Sequence, residues 1–168
     1  MRSFGKNPNT KAEVFAIHAT SLSEASSQIT SPTKFFTVLI ACDSDQLPEK
    51  ELSDFAKSLL EKGAVYVCVW GKGCSRFHDI IDLVGVDMKI SGSPCPAQRD
   101  GVLMTTWHEK DPLDEALWFL LSCAWPTDDK LTSCSTIAIT IGNQSWANEV
   151  NNHLEDIEKF FDEMCDVD

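Results

Sequence analysis

Residues 35–42 read Phe-Phe-Thr-Val-Leu-Ile-Ala-Cys, and the run stops at Asp43-Ser-Asp-Gln-Leu-Pro48. Eight residues without a charge, ended by turn formers, spell a strand buried on both faces. An amphipathic helix follows. Leu52, Phe55, Ala56, Leu59 and Leu60 fall on one stripe, and Gly63 stands where a helix C-cap belongs. The same sentence is written three more times. Apolar runs at Val65–Trp70, Val102–Trp107 and Thr136–Gly142 each end at a polar or glycine turn and lead into a helix. Strand and helix in strict alternation predict an α/β three-layer sandwich, Rossmann-like or flavodoxin-like, around a mostly parallel sheet of four to five strands.

The helices carry their own signals. The second starts after Gly71-Lys-Gly-Cys74, carries Phe77, Ile80, Ile81 and Val84, and is expected to stop at Gly85. The third opens at Asp111 as N-cap with Pro112 at N1. Its body, Leu113–Trp125, is apolar nearly all round, so it is either covered on all sides or meets another chain. In the last, capped by Ser145, Trp146, Val150, Leu154, Ile157, Phe161 and Met164 keep a 3–4 spacing against an acidic opposite face. Residues 1–34 form a separate segment: Glu13–Ala19 alternates as a possible edge strand, and the Ser/Thr-rich Thr20–Lys34 reads as a connection with little structure. Residues 35–168 make a single α/β domain. Ser91–Gly101, with Pro94 and Pro96, reads as a long loop.

With 168 residues, 43% of them hydrophobic and 24% charged, the chain has the balance of an ordinary globular domain. Twenty-six acids against 14 Lys and Arg give a net charge of −12. Phosphate backbones and anionic bilayers both demand a basic face, so neither nucleic acid nor a membrane surface is an expected partner. A basic protein or a cation is compatible. No apolar stretch is long enough to span a bilayer, and the first residues lack a signal-peptide core. Of seven cysteines, Cys42, Cys68 and Cys123 lie in apolar runs and read as small buried hydrophobes. A cytoplasmic location is the expectation.

Ligands of parallel sheets bind beyond the carboxyl ends of the strands. That edge holds Cys42, Asp43, Gly71, Cys74, His108, Gly142 and Asn143. The turn Gly71-Lys72-Gly73 could cradle an anion with Lys72 and Arg76 adding charge, and Trp70 and Trp107 could wall such a site. It is neither a P-loop nor a dinucleotide fingerprint, because Arg76 stands where a third glycine belongs. Cys74 sits in a first helical turn, where the dipole lowers a thiol pKa. With His108 as base and Asp79 as orienter it would make a cysteine-nucleophile hydrolase, although the strained nucleophile elbow is missing. Cys74 and His78 at i, i+4 with His108 could ligate zinc, but no paired Cys or His spacing supports this. Asp43-Ser-Asp45 resembles the acidic pair of phosphotransfer domains without their later carboxylate or lysine. No metal and no cofactor is expected.

Val69-Trp-Gly-Lys-Gly-Cys74 with Asp79 and Asp82, and Leu103-Met-Thr-Thr-Trp-His108 with Pro112-Leu113, Glu115 and Trp118-Phe119, resemble an uncharacterised bacterial domain-of-unknown-function family. Its markers are Trp-Gly-x-x-Cys and Met-Thr-Thr-Trp-His, and the similarity spans 35–142. The resemblance implies a bacterial cytosolic protein and implies no reaction. The leading expectation is a non-enzymatic module that binds a protein partner, or a second copy, through Leu113–Trp125 or the strand-end edge. The hydrolase and an anion- or nucleotide-binding protein are the alternatives.

Overall fold

The computed structural model describes residues 1–30, 33–93, 103–126 and 134–165. Six strands form one sheet: β1 (Arg2–Lys6), β2 (Glu13–Ala19), β3 (Phe35–Ala41), β4 (Ala64–Trp70), β5 (Met104–His108) and β6 (Cys134–Ile141). Their order is β1-β2-β6-β3-β4-β5. All pairings are parallel except β1 with β2. The helices are α1 (Leu22–Gln28), α2 (Glu49–Glu61), α3 (Cys74–Ser91), α4 (Leu113–Ser122), α5 (Gln144–Glu155) and α6 (Ile157–Cys165).

Three layers follow from where each strand's two sets of side chains go. Along β4, Val65, Val67 and Val69 pack into the core shared with α1, α2 and α3. Tyr66 and Cys68, one residue out of step, pack with α4, α5 and α6. Period-2 alternation in a sheet covered on both sides leaves no polar strand face, which is why β3 is buried at all seven positions.

Several expectations are corrected. The sheet has six strands, and Glu13–Ala19 is no edge: β2 lies between β1 and β6. Thr20–Lys34 is not featureless. Ser21 accepts the Glu24 N–H while the Glu24 carboxylate takes the Thr20 N–H, a reciprocal cap that starts α1. The second predicted helix runs through Gly85 to Ser91, and Gly92, at φ 67°, ends it. A mid-helix glycine costs only about 1 kcal/mol, and the flanking apolar contacts outweigh that. The apolar helix is shorter than expected: α4 ends at Ser122, with Pro112 as N-cap, and Cys123 is exposed. Asn143, not Ser145, caps α5, and the last helix breaks at Asp156 into α5 and α6.

Candidate functional site

The strand-end rim exists as expected. β4 and β5 are parallel neighbours with Trp70 beside His108, so residues 70–78 and 107–111 share one end of the sheet. Two open regions lie along the rim among the described residues.

The first is a crevice of about 270 Å³ where the chain leaves β3 and β6 for opposite faces, bordered by Thr20, Cys42, Asp43, Gly142, Asn143 and Trp146. Such a switch point is the usual ligand site of these sheets. Here the chain fills the donors itself. Asn143 Oδ1 accepts from the N–H of Ser145 and Trp146, and Glu24 takes Thr20. The Asp43 carboxylate accepts the Lys72 N–H at 3.1 Å. The proposed anion cradle therefore already faces an anion of its own chain. Gly71 and Gly73 serve backbone approach: a Cβ on Gly71 would stand 2.6 Å from the Cys42 carbonyl oxygen, and one on Gly73 2.7 Å from the Asp45 nitrogen. Arg76 is spent on the Ser44 and Leu47 carbonyls. Trp70 donates to the Asp111 carbonyl at 2.7 Å and meets Trp146 edge-on. These residues hold loops together.

The thiol–imidazole pair is not assembled. Cys74 is fully buried in the core on the α3 side of the sheet. Thr105 and Trp107 of β5 face that same side, where Thr105 Oγ1 donates to Asp82 and accepts from His78 Nε2. Trp107 packs against His78 at a tilt, with ring centroids 4.7 Å apart. Thr106 and His108 alternate to the other face, where the His108 ring lies 4.9 Å from Phe119. What reaches Cys74 from His108 is its backbone. Asp79, the expected orienter, is paired with His78. Burial pushes the Cys74 thiol up, and nearby backbone donors oppose it only in part. A nucleophile needs the reverse. Burial also pushes Cys42, Cys68 and Cys134 up to about 12. The zinc set Cys74, His78 and His108 is split by the same alternation. Among the described residues no three His, Cys, Asp or Glu side chains could hold a metal ion. We expect a thiol reagent at neutral pH to label Cys123 and Cys165 at once, and Cys42, Cys68, Cys74 and Cys134 only after unfolding. Mass mapping of the labels checks this, with Cys95 lying outside the described residues. A Cys74 labelled as fast as Cys123 would restore the nucleophile.

The second open region is a cleft of about 390 Å³ lined by His108, Asp111, Asp114, Glu115, Trp118, Phe119 and Met164. His108, only 7% exposed, places Nδ1 2.8 Å from Asp111 Oδ2, and its Nε2 faces Thr106 Oγ1. The turn after β5 delivers Asp111, and the first turns of α4 deliver Asp114, Glu115, Trp118 and Phe119 at i, i+1, i+4 and i+5. The alternate pairs along α4, Ala116 and Leu117, then Leu120 and Leu121, are buried. Most of the apolar side chains of the helix are therefore core, and Trp118 and Phe119 are the ones that meet the cleft.

Three carboxyl side chains, Asp111, Asp114 and Glu115, line the cleft. On α5, Glu149 has its pKa raised by desolvation and then by Asp114, with His153 opposing. A raised carboxyl pKa means that the fold disfavours the charged form. The penalty is present above the folded pKa and vanishes below the unfolded one. We expect Glu149→Gln to stabilise the protein at pH 7 by under about 1 kcal/mol, and to do nothing below about pH 4. Thermal melts at both values check it, and a gain at acid pH alone would reverse the sign.

Sequence reasoning reached His108 but missed Asp114, Glu115, Trp118, Phe119 and Met164 as a group. The usable signal was period 2 in β5, which sends His108 away from α3. Among the described residues no helix is long and apolar enough to cross a membrane. No curated protein matches the chain. Residues 14–157, from within β2 to the start of α6, match the family described as Domain of unknown function (DUF7684), and the chain belongs to that family.

Proposed function

We propose that this protein is a non-enzymatic binding module of the bacterial cytosol, and that it takes a basic segment of a protein partner into the cleft at the start of α4. The observation that carries this reading is the lining itself. Two half-buried aromatic rings, Trp118 and Phe119, stand beside Asp111, Asp114 and Glu115. Lysine and arginine suit such a lining because their stems pack on rings while their heads meet carboxylates. Aromatic anchors in a concave site are also the commonest source of binding energy in protein interfaces. The net charge of −12 attracts the same partner at long range. The expected route through Leu113–Trp125 is thereby narrowed to its first two turns. No observation favours the hydrolase or the anion-binding protein over this.

An arrayed library of basic and acidic peptides, with apolar residues at varied spacings, tests it. Basic peptides should bind, at least ~10-fold more weakly in high salt than in low. Trp118→Ala and Asp114→Lys should each weaken binding at least ~10-fold without changing the melting temperature by more than a few degrees. Equal binding of acidic and basic peptides, or indifference to both substitutions, overturns the reading.

A further inference from the structure

The two edges of the sheet are built differently. β1 carries Arg2 and Lys6, has Gly5 at φ 85°, and its register slips between Ser3 and Lys6. Basic side chains and irregularity are how sheets keep an edge from pairing with another chain. β5, Met104-Thr-Thr-Trp-His108, has no charge except what its histidine can carry, no proline and an unbroken register with β4. Among the described residues nothing pairs with its outer side. Met104 and Trp107 are 45% and 52% exposed, one on each face of that strand.

Beside this edge lies an apolar stripe that is exposed among the described residues. His78 and Asp82 of α3 bond to Thr105 of β5. The same i, i+4 row continues to Val86 and Ile90, with Leu83 alongside, and these are 53%, 80% and 65% exposed. The four on the α3 side, Leu83, Val86, Ile90 and Trp107, leave roughly 400 Å² open, the size at which an apolar patch on a monomer is often functional. The open backbone edge and flanking polar groups bring the face toward the ~800 Å² that each partner of a stable interface buries.

We propose that the occupant is a second copy of this chain: β5 pairs antiparallel with β5 of the partner, and the two α3 helices pack through Leu83, Val86 and Ile90. An unpaired strand edge is self-complementary under a two-fold axis, which places identical faces together without generating an open chain of subunits. An axis normal to the sheet keeps both α3 helices on one side and runs them antiparallel. The end of one that carries Lys89, which has no ion pair among the described residues, then meets the end of the other that carries Asp79 and Asp82. Apolar stripe, backbone edge and charge order all fit the same operator.

Sedimentation equilibrium of the full chain, over a hundredfold range of micromolar concentration, tests this. A monomer–dimer equilibrium is expected. Ile90→Lys should raise its dissociation constant at least ~30-fold, and because that side chain is exposed the circular dichroism and melting point should be unchanged. Amide exchange in β5 should slow as concentration rises. A strict monomer at every concentration overturns the proposal, as does a dimer indifferent to Ile90→Lys, one whose β5 amides gain no protection, or a monomer that holds a different protein on this face.

Discussion

Gly73→Ala is expected to lose about 3 kcal/mol or more of stability, read from the urea midpoint at an unchanged slope. Two costs combine. Gly73 sits at φ 75°, a left-handed conformation that costs alanine about 1 kcal/mol. A new Cβ would also stand 2.7 Å from the Asp45 nitrogen and 2.8 Å from its Cα, so backbone must move. The loop it would push is not free to yield. Ser44 donates from its N–H and from Oγ to the Lys72 carbonyl, and Arg76 holds the Ser44 and Leu47 carbonyls. Gly92→Ala is the internal control. Gly92 has a similar φ of 67° but open space around its would-be Cβ, so it should lose only about 1 kcal/mol. Equal losses at the two positions would mean that the β3–α2 and β4–α3 turns do not press on each other, and that the glycines are there for another reason.

That turn also shows what the sequence could and could not tell. The alternation of strand and helix was readable because β3, β4 and β6 are buried on both faces, and continuous apolar runs have few other meanings. β1 was invisible, with four of its five residues exposed and no period to detect. α1 was hidden by its serines, although Ser21 and Glu24 stand at the spacing of a reciprocal cap. The site was less legible for a topological reason. Cys74 and His108 were correctly brought to one end of the sheet by parallel strands, but an end has two faces. Only the parity of β5, with Thr105 and Trp107 one way and Thr106 and His108 the other, decides which face each side chain serves. Trp118 and Phe119 looked like core because the rest of α4 is core. Nothing local marks the flank of a helix that the final fold leaves uncovered.

Phe77→Ala should cost about 3–5 kcal/mol, the largest single loss among the side chains that seat α3. The ring is fully buried, one turn into α3, and lies 6.3 Å from Phe55 of α2. The core it belongs to is shared with β3, β4 and β6, strands fixed by ladders on both sides that yield little into such a space. A cavity that cannot close keeps both the transfer and the void penalties. Phe119→Ala is the contrast. That ring borders the open cleft, so water replaces it and the loss should stay below about 2 kcal/mol. The pair separates a ring that holds a helix in place from one that is available to a partner. If Phe77→Ala costs no more than Phe119→Ala in the same denaturation experiment, α3 is seated by something other than its first apolar turn. The rim at Gly71–Cys74 and the stripe at Leu83–Ile90 would then lose their common support.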